Sequence, residues 1–259
     1  MTKTSRIIPF WPTKSERNLE EFTVTRCEIL GQPVSFCTNR PKDYIQRIHR
    51  RGTFYEMSEL SWLRRLVDPG GTFFDIGANV GNHSLFAGKF LGFNTIVPIE
   101  PNPLAYQLLK MNVDLNHLID MFDLSHLGIG LSDERVGGYA MEKRKKNLGG
   151  ARMLPGQGEL EVFRADDRLK DYTPTLIKID VEGMEMNVLN GLSGILRRAT
   201  PLIMVEIGRN NVAAFATWRK DNGYAVLTQH KRHHANENYF IVPQAALQDY
   251  TQRLARDPA

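Results

Sequence analysis

The stretch FFDIGANVGNHSLFAG, residues 73–88, decides how the rest of this chain is read. A short apolar run ends on Asp75, a turn of the form D-x-G-x-N-x-G carries Gly77, Asn79 and Gly81, and a helix begins near Asn82. A strand, tight turn and helix in this order leave backbone N–H groups free at the strand's carboxyl edge. Glycine lets the chain pass close to a ligand there, and a helix N-terminus favours an anionic group. The spacing does not fit the G-x-G-x-x-G dinucleotide fingerprint, and it has no lysine for a phosphate loop. A Gly-x-x-x-Gly turn after a strand is common, so its meaning has to come from its surroundings.

Outward from this loop, apolar runs recur at 72–76, 95–99, 121–127, 176–179, 202–206, 225–228 and 239–242, with helical stretches between them. That alternation predicts an α/β fold: a mostly parallel sheet with helices on both faces. Asn102-Pro103 supplies an N-cap and an N1 proline, and Leu104, Leu108, Leu109, Met111 and Val113 carry an apolar face toward Asn116. Pro69-Gly70-Gly71 closes the helix before the first run. Pro98 lies inside the second run, where a central strand would lose a ladder hydrogen bond. No internal repeat occurs.

Residues 1–57 read as an N-terminal arm, broken by Pro9 and Pro12, and a hairpin over 22–30 and 34–38; residues 58–259 read as the main domain, opening on a helix at about 58–67. Cys27 and Cys37 flank the hairpin turn. A two-residue loop would put them on opposite faces and a three-residue loop could set them opposite each other; free thiols are expected. Residues 132–173 form a long insertion with turns at Gly137-Gly138, Gly149-Gly150 and Gly156-Gln157-Gly158 and a strand near 160–163, expected to act as a substrate lid.

The bulk composition sets limits. The chain has 259 residues, 42% hydrophobic and 24% charged, enough to bury a core without disulfides or structural metal. The net charge of +4 is spread along the chain; its clusters, residues 40–51 and Lys143-Arg144-Lys145-Lys146, read first as solvated surface. With no appended module and no aromatic-rich basic stripe, nucleic acid is not the favoured partner. The run 7–11 is too short for a signal peptide and is broken by Pro9, and no run approaches membrane length, so a cytoplasmic location is expected. Oligomeric state is not legible.

The loop gains meaning from Glu100, which ends the next run. Adjacent parallel strands bring Asp75 and Glu100 to one edge, where a carboxylate can accept both hydroxyls of a ribose. An acid complementing the dipole of the helix after Asn102 would explain Glu100 alone but not the pair.

Together the segments FFDIGANVGNHSLFAG, PIEPNPLAYQLLKMNVDLN (98–116), GIGLSDE (128–134), ADDRL (165–169), LIKIDVEGMEMNVLNG (176–191) and VEI (205–207) resemble the FkbM-like S-adenosylmethionine-dependent methyltransferases, over more than half of the chain. The resemblance implies a Rossmann-like, class I sheet of seven strands with the last antiparallel. It implies S-adenosylmethionine as cofactor, with Asp75, Gly77, Asn79 and Gly81 on the methionine side, joined by Asn82. Glu100 would hold the ribose, with Asn102 beside it, and Leu131 and Ser132 would lie near the adenine. The family's usual acceptors are hydroxyls of sugars, glycolipids or secondary metabolites, so a small-molecule or glycan substrate is expected. Phe54-Tyr55-Glu56 resembles the family's approach to its first strand and places Glu56 near the substrate.

Methyl transfer to oxygen needs an oriented nucleophile and a group to take its proton. In LIKIDVEGMEM, Lys178 and Asp180 share one face of a strand, and Glu182 and Glu185 follow in the turn and first helical turn. Asp180 is the first candidate for base or orienter, then Glu182, with Lys178 as its companion; Glu185 reads as a helix-dipole partner. Glu206 ends the fifth run and His83 sits in the first turn after the loop, both candidates to touch substrate. Asp180 and Glu206 could hold a divalent metal, but two carboxylates without a third ligand do not favour one. His230, His233 and His234 match no zinc spacing. Two other readings stay open, a catalytically silent cofactor-binding scaffold of the same fold and an RNA methyltransferase.

Overall fold

The structure is a computed structural model that describes residues 3–7, 22–144, 147–231 and 236–256. Most of the N-terminal arm, Lys145, Lys146, His233 and His234 lie outside the described residues. Strands β1 (Lys3–Ile7), β2 (Phe22–Ile29) and β3 (Gln32–Thr38) form a small antiparallel sheet. The hairpin between β2 and β3 turns on two residues, Leu30 and Gly31, both with positive φ. Cys27 therefore pairs with Val34 and Cys37 with Val24, which puts the two thiols on opposite faces, and both are free.

The main sheet is built from β4 (Thr72–Ile76), β5 (Thr95–Ile99), β10 (Pro174–Ile179), β11 (Leu202–Gly208), β12 (Tyr224–Lys231) and β13 (Asn236–Pro243), in the order β12-β13-β11-β10-β4-β5. β5, β4, β10 and β11 run parallel, and β13 is antiparallel to its neighbours β11 and β12. Successive residues of each central strand feed opposite layers. Phe73, Ile96, Leu176, Leu202 and Phe240 enter one core with Phe36, Phe54, Leu60 and Phe86, while Phe74, Val97, Ile177, Ile203 and Ile241 enter the other with Val188, Leu189, Ile195 and Phe215. The helices that cover these layers are α1 (Tyr44–His49), α2 (Met57–Leu66), α3 (Asn82–Phe90), α4 (Pro103–Leu115), α5 (Ala165–Arg168), α6 (Glu185–Gly191), α7 (Ser193–Ala199), α8 (Val212–Asp221) and α9 (Leu247–Ala255).

The sheet has six described strands, not the seven expected. The run 121–127 was expected to be a strand beyond β5, but it folds as two 3₁₀ turns, Ile119–Met121 and Leu124–His126, joined to β5 only by the bridges Ile96–Phe122 and Glu100–Leu127. The reason lies in Pro98. The carbonyls of Ile96 and Glu100 accept from Asp123 and Gly128 on this outer edge, each at 2.9 Å, so position 98 faces the same way and has no N–H to offer. Opposite that gap the Asp123 carboxylate caps the Ser125 N–H at 2.9 Å and accepts from the Tyr172 hydroxyl, which turns the chain out of the sheet. Pro98 thus sits on the outer edge, while its inner neighbours Val97 and Ile99 pair normally with β4.

The insertion is a second sheet rather than an irregular loop. β6 (Gly130–Ser132), β7 (Val136–Met141), β8 (Met153–Leu154) and β9 (Leu160–Arg164) pair in the order β6-β9-β7-β8. It docks through a close approach at the end of α6: a Cβ on Gly191 would lie 2.0 Å from the Ser132 carbonyl oxygen. Gly191→Ala is therefore expected to cost about 1–3 kcal/mol by overpacking, a fall of several degrees in the thermal midpoint. An unchanged midpoint would show that the two sheets are not held by this contact.

Candidate active site

Strand register builds the site. Ile76, Ile179 and Val205 are aligned across β4, β10 and β11, so the next residues, Gly77, Asp180 and Glu206, emerge side by side at the carboxyl edge of the sheet. A cavity of about 470 Å³ opens above them, in the usual size range of small-molecule sites. Its walls are the glycine loop and the start of α3 (Asn79, Asn82, His83), the end of β5 (Glu100), Tyr44 and Tyr55 from the N-terminal segment, and residues 147–151 of the insertion.

Beneath this floor the Lys178 ammonium is buried. It donates to the Gly77 carbonyl at 2.7 Å and lies 3.4 Å from Asp75 Oδ1 and 3.5 Å from Asp180 Oδ2. Burial opposes its charge, but Asp180, Asp75, Glu56 and Glu206 outweigh that, and its pKa is held above the ordinary lysine value. Asp75 was expected on the methionine side of the cofactor. It instead lies fully buried behind the loop, outside the cavity wall, because its other oxygen accepts from Ser84 N at 3.0 Å and Ser84 Oγ at 2.6 Å in the first turn of α3. Asp75 fastens the helix start to the sheet.

The loop itself is held close to β10. A Cβ on Gly77 would lie 1.8 Å from the Asp180 carbonyl oxygen, and Gly77 has φ +79°, so position 77 excludes any side chain. Glu100 closes the other side. Its Oε2 accepts from Asn79 N at 2.7 Å and its Oε1 from Asn102 N at 2.8 Å. Burial pushes its pKa up to about 7 against those two hydrogen bonds. Each oxygen can accept one further hydrogen bond, and Glu100 lines the cavity. Asn79 adds a buried side-chain amide whose nitrogen and oxygen have no hydrogen-bond partner among the described residues. Side-chain-free backbone at Gly77, an unsatisfied amide at Asn79 and a two-oxygen acceptor at Glu100 fit the amino-acid and ribose parts of S-adenosylmethionine.

Asn82 lines the cavity and clamps it to the N-terminal segment, with Oδ1 accepting from Tyr55 N at 2.9 Å and Nδ2 donating to Tyr55 O at 3.0 Å. That fixed amide makes His49 Nε2, 3.0 Å from Asn82 Oδ1, the donor; burial lowers the His49 pKa to about 4, so the ring is neutral. Of the other expected residues, Leu131, His83, Lys178, Asp180, Glu182 and Glu206 line the cavity, and Gly81, Asn102, Ser132 and Glu56 do not. Gly81 is the left-handed cap of α3, packed on Leu109, and Asn102 caps α4 through Leu104 N at 3.1 Å. Ser132 turns to Asp133 at 2.9 Å. Glu56 stands behind His83, its Oε2 3.1 Å from Nε2. Glu185 sits in the first turn of α6 and accepts from Gly183 N at 2.7 Å.

The Methyltransferase FkbM domain matches residues 75–240, about two thirds of the chain. The chain belongs to the FkbM methyltransferase family. Among curated proteins it is similar to Methyltransferase sdnD of Sordaria araneosa, 26% identical over 156 residues that span 46% of this chain and 59% of that one. It is also similar to Methyltransferase 1 of Beauveria bassiana (strain ARSEF 2860), 25% identical over 181 residues, 60% of this chain and 72% of that one. Among solved structures, Methyltransferase FkbM from Methylobacillus flagellatus KT superposes with a TM-score of 0.48 at 19% identity, covering 76% of this chain and 50% of that one. The match thus spans about three fifths of the first curated relative and half of the solved one.

Arg144 pairs with Glu142 at 2.8 Å, and His230 with the buried Glu59 at 2.7 Å. No described helix is long and apolar enough to cross a membrane, and among the described residues no group of three or more His, Cys, Asp or Glu is placed to hold a metal. Sequence reasoning missed Tyr44 and Asn236 as cavity walls, while residues 147–151 fall within the insertion expected to act as a lid and Tyr55 within the Phe54-Tyr55-Glu56 segment. Asn236 donates to Glu206 Oε1 at 2.5 Å from the antiparallel strand β13, a pairing that only the strand register brings about.

The side of the cavity at the ends of β10 and β11 is acidic. Burial pushes the Glu182 pKa up to about 7, with Asp180 adding to the rise and Arg144 and Arg152 opposing it. Glu206 is raised well above the ordinary range by burial first and then by Asp180, to which it is hydrogen-bonded; Asn236 pulls the other way. Two neighbouring carboxyls are not both ionised cheaply, and burial makes Glu206 hold its proton to higher pH than an ordinary glutamate. A raised acid favours folding fully below its unfolded pKa, and that contribution drains as pH rises from there toward the folded value. Glu206→Gln keeps a neutral donor to Asp180 at every pH. It is expected to remove about 1.4 kcal/mol or more of the stability lost between pH 5 and pH 8, the free energy of a tenfold change in proton affinity. Denaturant midpoints at the two pH values measure this, and equal losses in both proteins would contradict the raised proton affinity of Glu206.

Proposed function

We propose that this chain is an S-adenosylmethionine-dependent methyltransferase that acts on a hydroxyl oxygen of a sugar, glycolipid or secondary metabolite. The observation that carries the reading is the placing of the Gly77–Asn79–Glu100 cradle directly beside the Asp180–Glu206 carboxyl pair, within one cavity. Gly77, Asn79 and Asn82 would hold the amino-acid end of the cofactor, Glu100 the ribose, and Leu131 the adenine side. When bound, S-adenosylmethionine supplies an electrophilic methyl on a positively charged sulfur.

The chain's own residues do the rest. The Lys178 ammonium, 3.5 Å from Asp180 Oδ2, and the neighbouring Glu206 hold the Asp180 carboxyl at the edge of the cavity. With the cofactor bound, Asp180 would take the proton of the acceptor hydroxyl as its oxygen displaces the methyl from sulfur, which would leave as an uncharged thioether, and no covalent enzyme intermediate is needed. Glu182, His83 and Asn236 present further polar groups to an acceptor rich in hydroxyls. A divalent ion has no role in this reading, since Asp180 and Glu206 are engaged with each other.

Calorimetric titration with S-adenosylhomocysteine tests the cofactor half. Wild-type protein is expected to bind, and Glu100→Ala to bind at least about tenfold more weakly through loss of a charged hydrogen-bonding partner. Unchanged affinity would remove Glu100 from the ribose. Asp180→Asn should bind the same ligand yet lose about 10²–10⁴-fold in methyl transfer to a panel of glycans, the usual worth of a general base. Full activity in that variant would remove Asp180 from the mechanism.

A further inference from the structure

Residues 147–151 form one wall of the cavity, opposite the strand ends, and they belong to the insertion rather than to the main sheet. The segment is closed on itself: Gly150 N donates to Asn147 Oδ1 at 3.1 Å and Ala151 N to Leu148 O at 3.2 Å. It rests on the cofactor loop, since a Cβ on Gly149 would lie 2.7 Å from Asn79 Nδ2. Leu148 and Ala151 are buried.

The Leu148 N–H reaches back 105 residues to Asp43 Oδ2, at 2.8 Å, with both partners buried. Asp43 is 1% exposed and divides its two oxygens: Oδ1 caps α1 through Gln46 N at 3.1 Å, and Oδ2 takes Leu148. A serine or threonine would serve for the cap alone. The second oxygen of a carboxylate is what lets one residue do both. A buried backbone N–H needs a partner, and water reaches this one only if the segment lifts.

We propose that Asp43 is a positioning residue that latches residues 147–151 as a roof over the cavity, so that a bound cofactor leaves only when the Asp43–Leu148 hydrogen bond opens. The inference rests on the cofactor reading of the cavity for its consequence, but the latch itself belongs to the free protein. It also gives the segment before the main domain a part in the site, because the latch and the wall residues Tyr44 and Tyr55 all come from it.

Asp43→Ser keeps an oxygen for the helix cap and deletes the second acceptor; Asp43→Asn keeps the cap and turns an N–H toward Leu148. In a folded variant, hydrogen exchange at the Leu148 amide should speed up on the order of tenfold or more while the α1 amides stay protected. Stopped-flow release of S-adenosylhomocysteine should quicken by a similar factor, with a smaller change in the association rate constant. Wild-type protection at Leu148 in both variants, or unchanged release, overturns the latch. If wild-type protein binds no S-adenosylhomocysteine, the cofactor reading fails, and exchange at Leu148 still decides whether Asp43 holds the roof.

Discussion

A single buried ammonium organises this molecule. Lys178 sits on β10 in register with Asp75 on β4, and its charge is shared among Asp75, the Gly77 carbonyl and Asp180. Taking an ammonium out of water costs several kcal/mol, and only a full set of partners offsets it. Removing one partner of such a set typically costs roughly 3–5 kcal/mol because the other charge is left stranded. The backbone of the glycine loop, the start of α3 through Ser84, and the candidate base therefore take their positions from one side chain. Rigid placement of the cofactor loop against the reacting edge follows from this electrostatic requirement.

The same register explains why the chemistry gathers where it does. Parallel strands that end together place Gly77, Asp180 and Glu206 in a row, and the antiparallel strand β13 adds Asn236 to Glu206. Two acids at this edge cannot both be ionised cheaply, and Glu206, the more deeply desolvated, holds its proton to higher pH. On the proposed reading, the cofactor half of the site is built from backbone, amides and the Glu100 carboxyl, and the reacting half from Asp180 and Glu206. The insertion covers both.

Much of this was legible from the sequence, and the limits have physical causes. The loop, the parallel sheet, Glu100 and the row of acidic strand ends follow from local pattern, since period-two burial and strand-end acids leave a direct trace. Asp75 sits at the expected strand end, but pattern could not show that Lys178 and Ser84 consume it from behind. The run 121–127 carries the composition of a strand, and Pro98 on the neighbouring strand removes the donor it would need. Asn236, Tyr44 and the Asp43–Leu148 bond are contacts between distant segments, and a single sequence carries no sign of them.

On the proposed reading, the cavity at the strand ends is an adenosylmethionine site whose reacting edge is Asp180. A crystal structure of the protein with S-adenosylhomocysteine tests it most directly. Ribose hydroxyls are expected on Glu100, the amino-acid end against Gly77 and Asn79, and the sulfur facing the Asp180–Glu206 pair. A ligand seated elsewhere, or one whose sulfur points away from Asp180, would contradict it.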